Sequence, residues 1–266
     1  MKFRQLGETN VIVPEVGFGT WAYTGGEAPL RRAVELGAAH IDTAESYNTE
    51  SDVGKAIRGI RDRVFLATKV SPEHFRRDAL LKAADASLKR LEVDYIDLYQ
   101  LHWSNPGVPI EETMRAMESL LKAGKVRFIG VSNFSVTQLR EAQAVMAVPI
   151  VSNQVEYSLI TRNIETDVLP YCQANGITVI AYSPFGERFS NILQKDRKGV
   201  IQRVAAAVGK TSAQVVLNWC LSKESVVVIP KANSVAHVEE DCGASDWNMS
   251  KANLELLEKA FSLPKP

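Results

Sequence analysis

Four side chains in the first 102 residues could carry acid–base chemistry together: Asp42, Tyr47, Lys69 and His102. A free phenol titrates near pH 10, too high for an efficient proton donor and acceptor near neutrality. A neighbouring ammonium stabilises the phenolate and lowers that value. Lys69, held by the Asp42 carboxylate, is therefore expected to lower the pKa of Tyr47. His102 could hydrogen-bond and orient a substrate oxygen, and the set would form a pocket for a developing alkoxide. Each residue also has a plainer reading. Asp42 could cap Thr43-Ala44-Glu45, Tyr47 could pack with a wet hydroxyl, Lys69 could snorkel to solvent, and His102 could be a hydrogen-bonded structural side chain. Taken singly, each plainer reading is the stronger; joint placement favours chemistry.

That placement comes from the elements carrying them. Asp42 ends the run His40-Ile41-Asp42, Lys69 ends Val64 to Lys69, and His102 follows Ile96–Leu101, with Tyr47 in the loop after Asp42. Eight short apolar runs read as strands: Val16–Gly19, Ala39–Asp42, Val64–Thr68, Ile96–Leu101, Phe128–Val131, Val151–Val155, Thr178–Ala181 and Val226–Ile229. Their near-continuous hydrophobicity suits strands buried on both faces of a parallel sheet. Helical stripes lie between them, such as Leu80, Ala83, Ala84, Ser87, Leu88 and Leu91, and Ile110, Met114, Met117, Leu120 and Leu121. Gly37, Gly124 and Gly176 follow helical stretches, where glycine accepts a left-handed cap.

The pattern predicts an α/β chain folded as a (β/α)8 TIM barrel, whose strand C-termini carry the active site. Phe3–Leu6 and Val11–Pro14 around Gly7 to Asn10 predict an N-terminal β-hairpin plugging the barrel, and Ser250–Phe261 an extra C-terminal helix. A doubly wound open sheet is the alternative. It would want a glycine-rich phosphate turn, and Gly17-Phe18-Gly19 lacks the third glycine, reading instead as a tightly packed strand end. No linker divides residues 1–266, so one domain is expected.

Lys and Arg number 31, as do Asp and Glu, which argues against a nucleic-acid partner. The basic runs at 61–63 and 74–77 read as solvated faces. No run is apolar enough for a signal peptide or a membrane span. Three cysteines without pairing spacing suggest a reducing compartment, so a cytoplasmic protein is expected. His40, His74, His102 and His237 show no metal-ligand spacing, so no metal is expected.

The segment Ile41 to Glu50 (IDTAESYNTE), the strand-ending Lys69, and Leu101-His102-Trp103 resemble the signature of the aldo-keto reductase superfamily. Val131 to Phe134, Asn153 to Tyr157, Ala181 to Phe185 and Ile229-Pro230-Lys231 follow in the family's order, so the likeness covers nearly the whole chain, as a short-looped prokaryotic-type member. The resemblance implies an NADPH-dependent reductase of aldehydes and small ketones. Tyr47 would be the general acid, assisted by Asp42, Lys69 and His102. It implies that Ser132, Asn133 and Gln154 bind the nicotinamide amide, and that Tyr182 stacks on the ring. Ser183, Phe185, Ile229 and Lys231 would lie along the pyrophosphate and ribose, with Thr20 touching the cofactor. Asn233, Ser234, His237, Glu240 and Asp241 complete the expected cofactor set, and Trp21, Tyr23 and Trp103 the substrate pocket.

Two departures qualify this. His237 stands where arginine is common, and Asp241 where asparagine is usual. Lys231 alone gives a point charge less specific than a guanidinium fork, so NADH is an expected second cofactor. The loops after His102 and Phe185 are short, so an open pocket with broad tolerance is expected. The expected partner is a small carbonyl compound, and the resemblance implies a monomer. Competing readings are a non-catalytic NADPH-binding regulatory barrel, physiological alcohol oxidation with NAD(P), and an aldolase-type barrel with a Schiff base on Lys69.

Overall fold

The computed structural model describes residues 1–262; the last four residues of the expected domain lie outside them. The chain opens with an antiparallel hairpin, β1 (Phe3–Gln5) and β2 (Ile12–Pro14). Leu6 and Val13 share one buried cluster with Ala67, Leu98, Ile180 and Val227, so the hairpin plugs the barrel as expected.

Strands and helices then alternate: β3 (Phe18–Gly19), α1 (Glu27–Glu35), β4 (His40–Asp42), α2 (Glu50–Ile57), β5 (Phe65–Val70), α3 (Arg77–Leu91), β6 (Ile96–Leu101), α4 (Ile110–Lys122), β7 (Val126–Ser132), α5 (Val136–Ala144), β8 (Ser152–Glu156), α6 (Val168–Ala174) and β9 (Thr178–Tyr182). Three helices follow, α7 (Phe189–Lys195), α8 (Val200–Val208) and α9 (Ser212–Leu221), then β10 (Val226–Val228), α10 (Val235–Cys242) and α11 (Lys251–Ala260). The eight strands β3 to β10 are parallel and neighbour one another in chain order. The ring closes where Val16 bridges Val228, with Gly17 N donating to Val228 O at 2.8 Å and Gly19 N to Pro230 O at 3.0 Å. This is the (β/α)8 barrel of the sequence reading.

Burial explains why these residues form these elements. β4 and β6 are buried along their whole length, because helices cover one face and the barrel interior the other. On α3, Leu80, Ala83, Ala84, Ser87 and Leu91 face inward, the stripe read from the sequence. Gly17 fits the tight-packing reading, since a Cβ there would stand 2.6 Å from His40 O and 2.9 Å from His40 Cβ. Ser250 caps α11 by accepting from Asn253 N at 3.3 Å, while Leu257 and Phe261 are buried. Among the described residues no helix is long and apolar enough to cross a membrane.

The brief stretch after Phe185 carries α7. One reading is corrected: Arg61 is not part of a solvated face. Its guanidinium donates to the buried Asp97 at 2.7 Å, to Tyr95 O at 2.9 Å and to Val64 O at 2.7 Å, tying the N-terminal ends of β5 and β6 together.

Candidate active site

The C-terminal ends of the strands surround a cleft of about 540 Å3. Lys69 is fully buried on β5, behind the cleft wall. Its ammonium donates to Asp42 Oδ1 at 2.5 Å, to Thr43 O at 2.9 Å and to the Tyr47 hydroxyl at 3.3 Å. Three N–H groups meet three acceptors, the full capacity of an ammonium. Burial works against that charge, but Asp42 and Tyr47 outweigh it and hold the Lys69 pKa above the ordinary lysine value. A Schiff-base role is thereby disfavoured, because Lys69 lies behind Tyr47 and does not line the cleft.

Tyr47 reaches this point on a single 3-10 turn, Glu45–Tyr47, after which Asn48 reverses the chain at φ +58°. Glu45 fixes the turn by accepting from Ser71 N at 2.5 Å and pairing with His74 Nδ1 at 2.9 Å. The Tyr47 hydroxyl thus sits 3.3 Å from Lys69 Nζ on one side and 3.3 Å from His102 Nε2 on the other. The expected lowering of the Tyr47 pKa is corrected in its sum. Lys69 does lower it, but removal from water dominates and Asp42 adds to it, so the phenol stands above its ordinary value and is protonated. His102 is pushed down to about 4, first by burial and then by the charge of Lys69, so its ring is neutral. Its Nδ1 lies 3.4 Å from Ser46 Oγ.

The far oxygen of Asp42 accepts from Gln154 Nε2 at 2.8 Å and from Gln100 Nε2 at 3.2 Å. Ser132 Oγ donates to Gln154 O at 2.9 Å. Asn133, at φ +62°, donates to His102 O and Ser132 Oγ and accepts from the Tyr182 hydroxyl at 3.0 Å. Gln154 Nε2 is engaged, while Gln154 Oε1, Ser132 Oγ and Asn133 Oδ1 keep acceptor capacity beside the cleft, an acceptor set suited to a primary amide N–H2. Lys231 spends one bond on Ala22 O at 3.3 Å and lies 5.8 Å from the Trp21 ring. Two of its N–H groups remain for an anion.

The structure brings most of the expected residues to the cleft wall. Thr20, Trp21, Asp42, Tyr47, His102, Trp103, Ser132, Asn133, Gln154, Tyr182, Ser183, Phe185, Ile229 and Lys231 line it. Tyr23 does not; it is buried and donates to Gly26 O at 2.7 Å. Asn233 accepts from Thr24 N at 3.1 Å, and Ser234 caps α10 through His237 N at 3.3 Å. Like His237 and Glu240, these two lie outside the cleft wall. Asp241 is buried, and burial followed by the charge of Glu240 holds its carboxyl well above the usual carboxylate range. The sequence reading missed Ser46, Glu156 and Glu187 on the wall and Gln100 behind it. Ser46 and Glu156 lie inside the quoted motifs; Gln100, within an apolar strand, gave no such signal.

Comparison with known proteins agrees with this geometry. The family model described as the aldo/keto reductase family matches residues 15–261. The chain is 41% identical to methylglyoxal reductase YeaE of Escherichia coli over 96% of this chain and 94% of that protein. It is 34% identical to a glyoxal reductase of Bacillus subtilis over 93% and 89%. A crystal structure of an aldo-keto reductase from Klebsiella pneumoniae in complex with NADPH superposes with a TM-score of 0.90 at 38% identity, covering 100% of this chain and 96% of that one. With the tyrosine, lysine, aspartate and histidine gathered at the mouth of a (β/α)8 barrel, the chain belongs to the aldo/keto reductase family of oxidoreductases.

Proposed function

We propose that the protein reduces small aldehydes and ketones, α-dicarbonyls foremost, with NADPH, and that Tyr47 is the proton donor. The observation that carries this reading is the Tyr47 hydroxyl, 3.3 Å from both Lys69 Nζ and His102 Nε2 at the edge of the cleft. A carbonyl oxygen placed there accepts from the phenol and from the neutral imidazole, both of which strengthen as it gains charge. When bound, NADPH supplies the hydride. Tyr47 then gives its proton to the alkoxide oxygen, and Lys69 stabilises the phenolate left behind. A phenol that is protonated through neutrality suits reduction, since alcohol oxidation needs the phenolate as base. The methylglyoxal and glyoxal reductases among the relatives favour dicarbonyl substrates.

Gln154, Ser132 and Asn133 would hold the carboxamide, Tyr182 the ring face and Lys231 a phosphate. Trp21 and Trp103, 64% and 50% exposed at the rim, would cover the substrate. The zero formal charge supports a small-molecule partner and no nucleic acid. The site should work as one barrel domain in the cytoplasm.

The test is a spectrophotometric assay of reduced nicotinamide consumption with NADPH and NADH against aldehydes, α-dicarbonyls and ketones. Turnover with NADPH and an α-dicarbonyl is expected. Tight NADPH binding with no turnover on any carbonyl would overturn the reading and leave a regulatory barrel. Rates should be level through neutrality and fall on the acid side as pH approaches about 4, where His102 takes up a proton.

A further inference from the structure

We infer that Gln100 is a positioning residue of the acid site: its side-chain amide locks the Asp42 carboxylate in the rotation that holds Lys69 against Tyr47. The inference rests on the proposal that Tyr47 is the acid.

Asp42 Oδ1 belongs to Lys69 at 2.5 Å. A carboxylate can turn about its Cβ–Cγ bond, so the ion pair is directional only if the other oxygen is also held. Oδ2 accepts from two amides, Gln154 at 2.8 Å and Gln100 at 3.2 Å. These are not equivalent. Gln154 lines the cleft and is placed to answer to a bound cofactor. Gln100 is fully buried on β6 and can serve Asp42 alone.

Two further observations point the same way. Gln100 and Ser152 flank Gly130 in one register row across β6, β7 and β8. A Cβ on Gly130 would stand 2.3 Å from Ser152 Oγ and 3.1 Å from Gln100 Cγ, so the glycine makes room chiefly for Ser152 and relieves a tight contact with Gln100. The Gln100 carbonyl oxygen, in turn, is buried and has no hydrogen-bond partner among the described residues. A buried orphan of this kind is destabilising. Ser152 Oγ, in the same row, is a second buried orphan, whereas Ala67, Leu98, Ile180 and Val227 elsewhere in the interior carry no such penalty. What sets the amide at position 100 apart from the Ser152 hydroxyl is the bond its N–H2 makes to Asp42. The charged and titratable groups facing Asp42 are Lys69 from β5, Tyr47 from the turn after β4, His102 after β6 and His40 on its own strand.

The test compares Gln100→Met, which keeps shape and removes the donor, with Gln100→Glu. A glutamic acid beside Asp42 donates only while protonated, and the neighbouring carboxylate raises its pKa. Gln100→Met is expected to lower kcat about tenfold while the KM for NADPH stays within about twofold. Gln154→Met should raise that KM and lower kcat together. Gln100→Glu should retain most activity at the acid end of the pH profile and lose it as pH rises. Wild-type kcat in Gln100→Met, or a pH-independent loss in Gln100→Glu, overturns the inference. Should Gln100→Met fail to fold, the Gln100→Glu profile decides alone. Tyr47→Phe is the control: an active Tyr47→Phe overturns the acid reading itself, whereas an inactive one beside a wild-type-like Gln100→Met removes only the role of Gln100.

Discussion

The barrel buries an aspartate ion pair at each end, and the two differ in what their cations leave open. At the N-terminal end, Asp97 on β6 accepts from Arg61 and Arg127 at 2.7 and 2.6 Å and from Leu66 N at 2.9 Å. Every one of those contacts ends on a fixed acceptor, and the Arg61 terminal nitrogens also donate to the carbonyls of Tyr95 and Val64. At the C-terminal end, Asp42 holds a lysine whose third N–H goes to a hydroxyl that faces a cleft. A forked guanidinium suits a static brace; a compact ammonium can sit behind a phenol and stabilise it through proton loss. Burial of an ion pair is common to both ends, so burial alone does not mark the functional one. On the proposed reading, the open hydroxyl does.

The sharpest way to break this comparison is to remove one member of each ion pair in turn. Lys69→Met should lower kcat by roughly 10^2 to 10^3, the scale of a general acid's contribution. It should also destabilise the fold by about 3–5 kcal/mol, because Asp42 is left as an unpaired buried charge. Asp97→Ala should cost a similar 3–5 kcal/mol in denaturant unfolding, with kcat per folded molecule unchanged. A large kcat loss there would erase the distinction between the ends.

A smaller effect concerns His40, two residues before Asp42, whose ring nitrogens are buried without a partner among the described residues. Burial pushes its pKa down to about 4. The unfolded value is near 6.5, so the native state prefers the neutral ring. Stability is then full above about pH 6.5 and falls, by about 3 kcal/mol in all, as pH drops from there toward 4. His40→Phe should flatten that part of an acid-unfolding curve; an unchanged curve would remove His40 as its origin. The smallest effect is expected at Lys231. Lys231→Ala should raise the KM for NADPH about tenfold and leave that for NADH nearly unchanged, and equal changes for both would deny the phosphate contact.

Much of this was legible in the sequence because strands buried on both faces read as short apolar runs, and a barrel gathers their C-terminal ends. Asp42, Lys69 and His102 were found as strand-end residues for that reason. What escaped depended on neighbours distant in sequence. Tyr23 lies near the rim in sequence, yet its hydroxyl turns to Gly26. The sign of the Tyr47 shift depends on how much water the surrounding elements exclude, which no spacing records. Gln100 sits inside an apolar strand and looks like interior until its partner, 58 positions away, is known. Arg61 looked like a surface charge beside Asp62 and Arg63, though it reaches Asp97.

The central claim is that the open hydroxyl at the Lys69 end does the chemistry. It is tested most directly by steady-state NADPH oxidation with an α-dicarbonyl, comparing wild-type enzyme with Tyr47→Phe, alongside NADPH binding followed by fluorescence. The expected result is a fall in kcat of at least about 10^3 with NADPH affinity unchanged within about twofold. Retention of wild-type turnover by Tyr47→Phe would contradict the account.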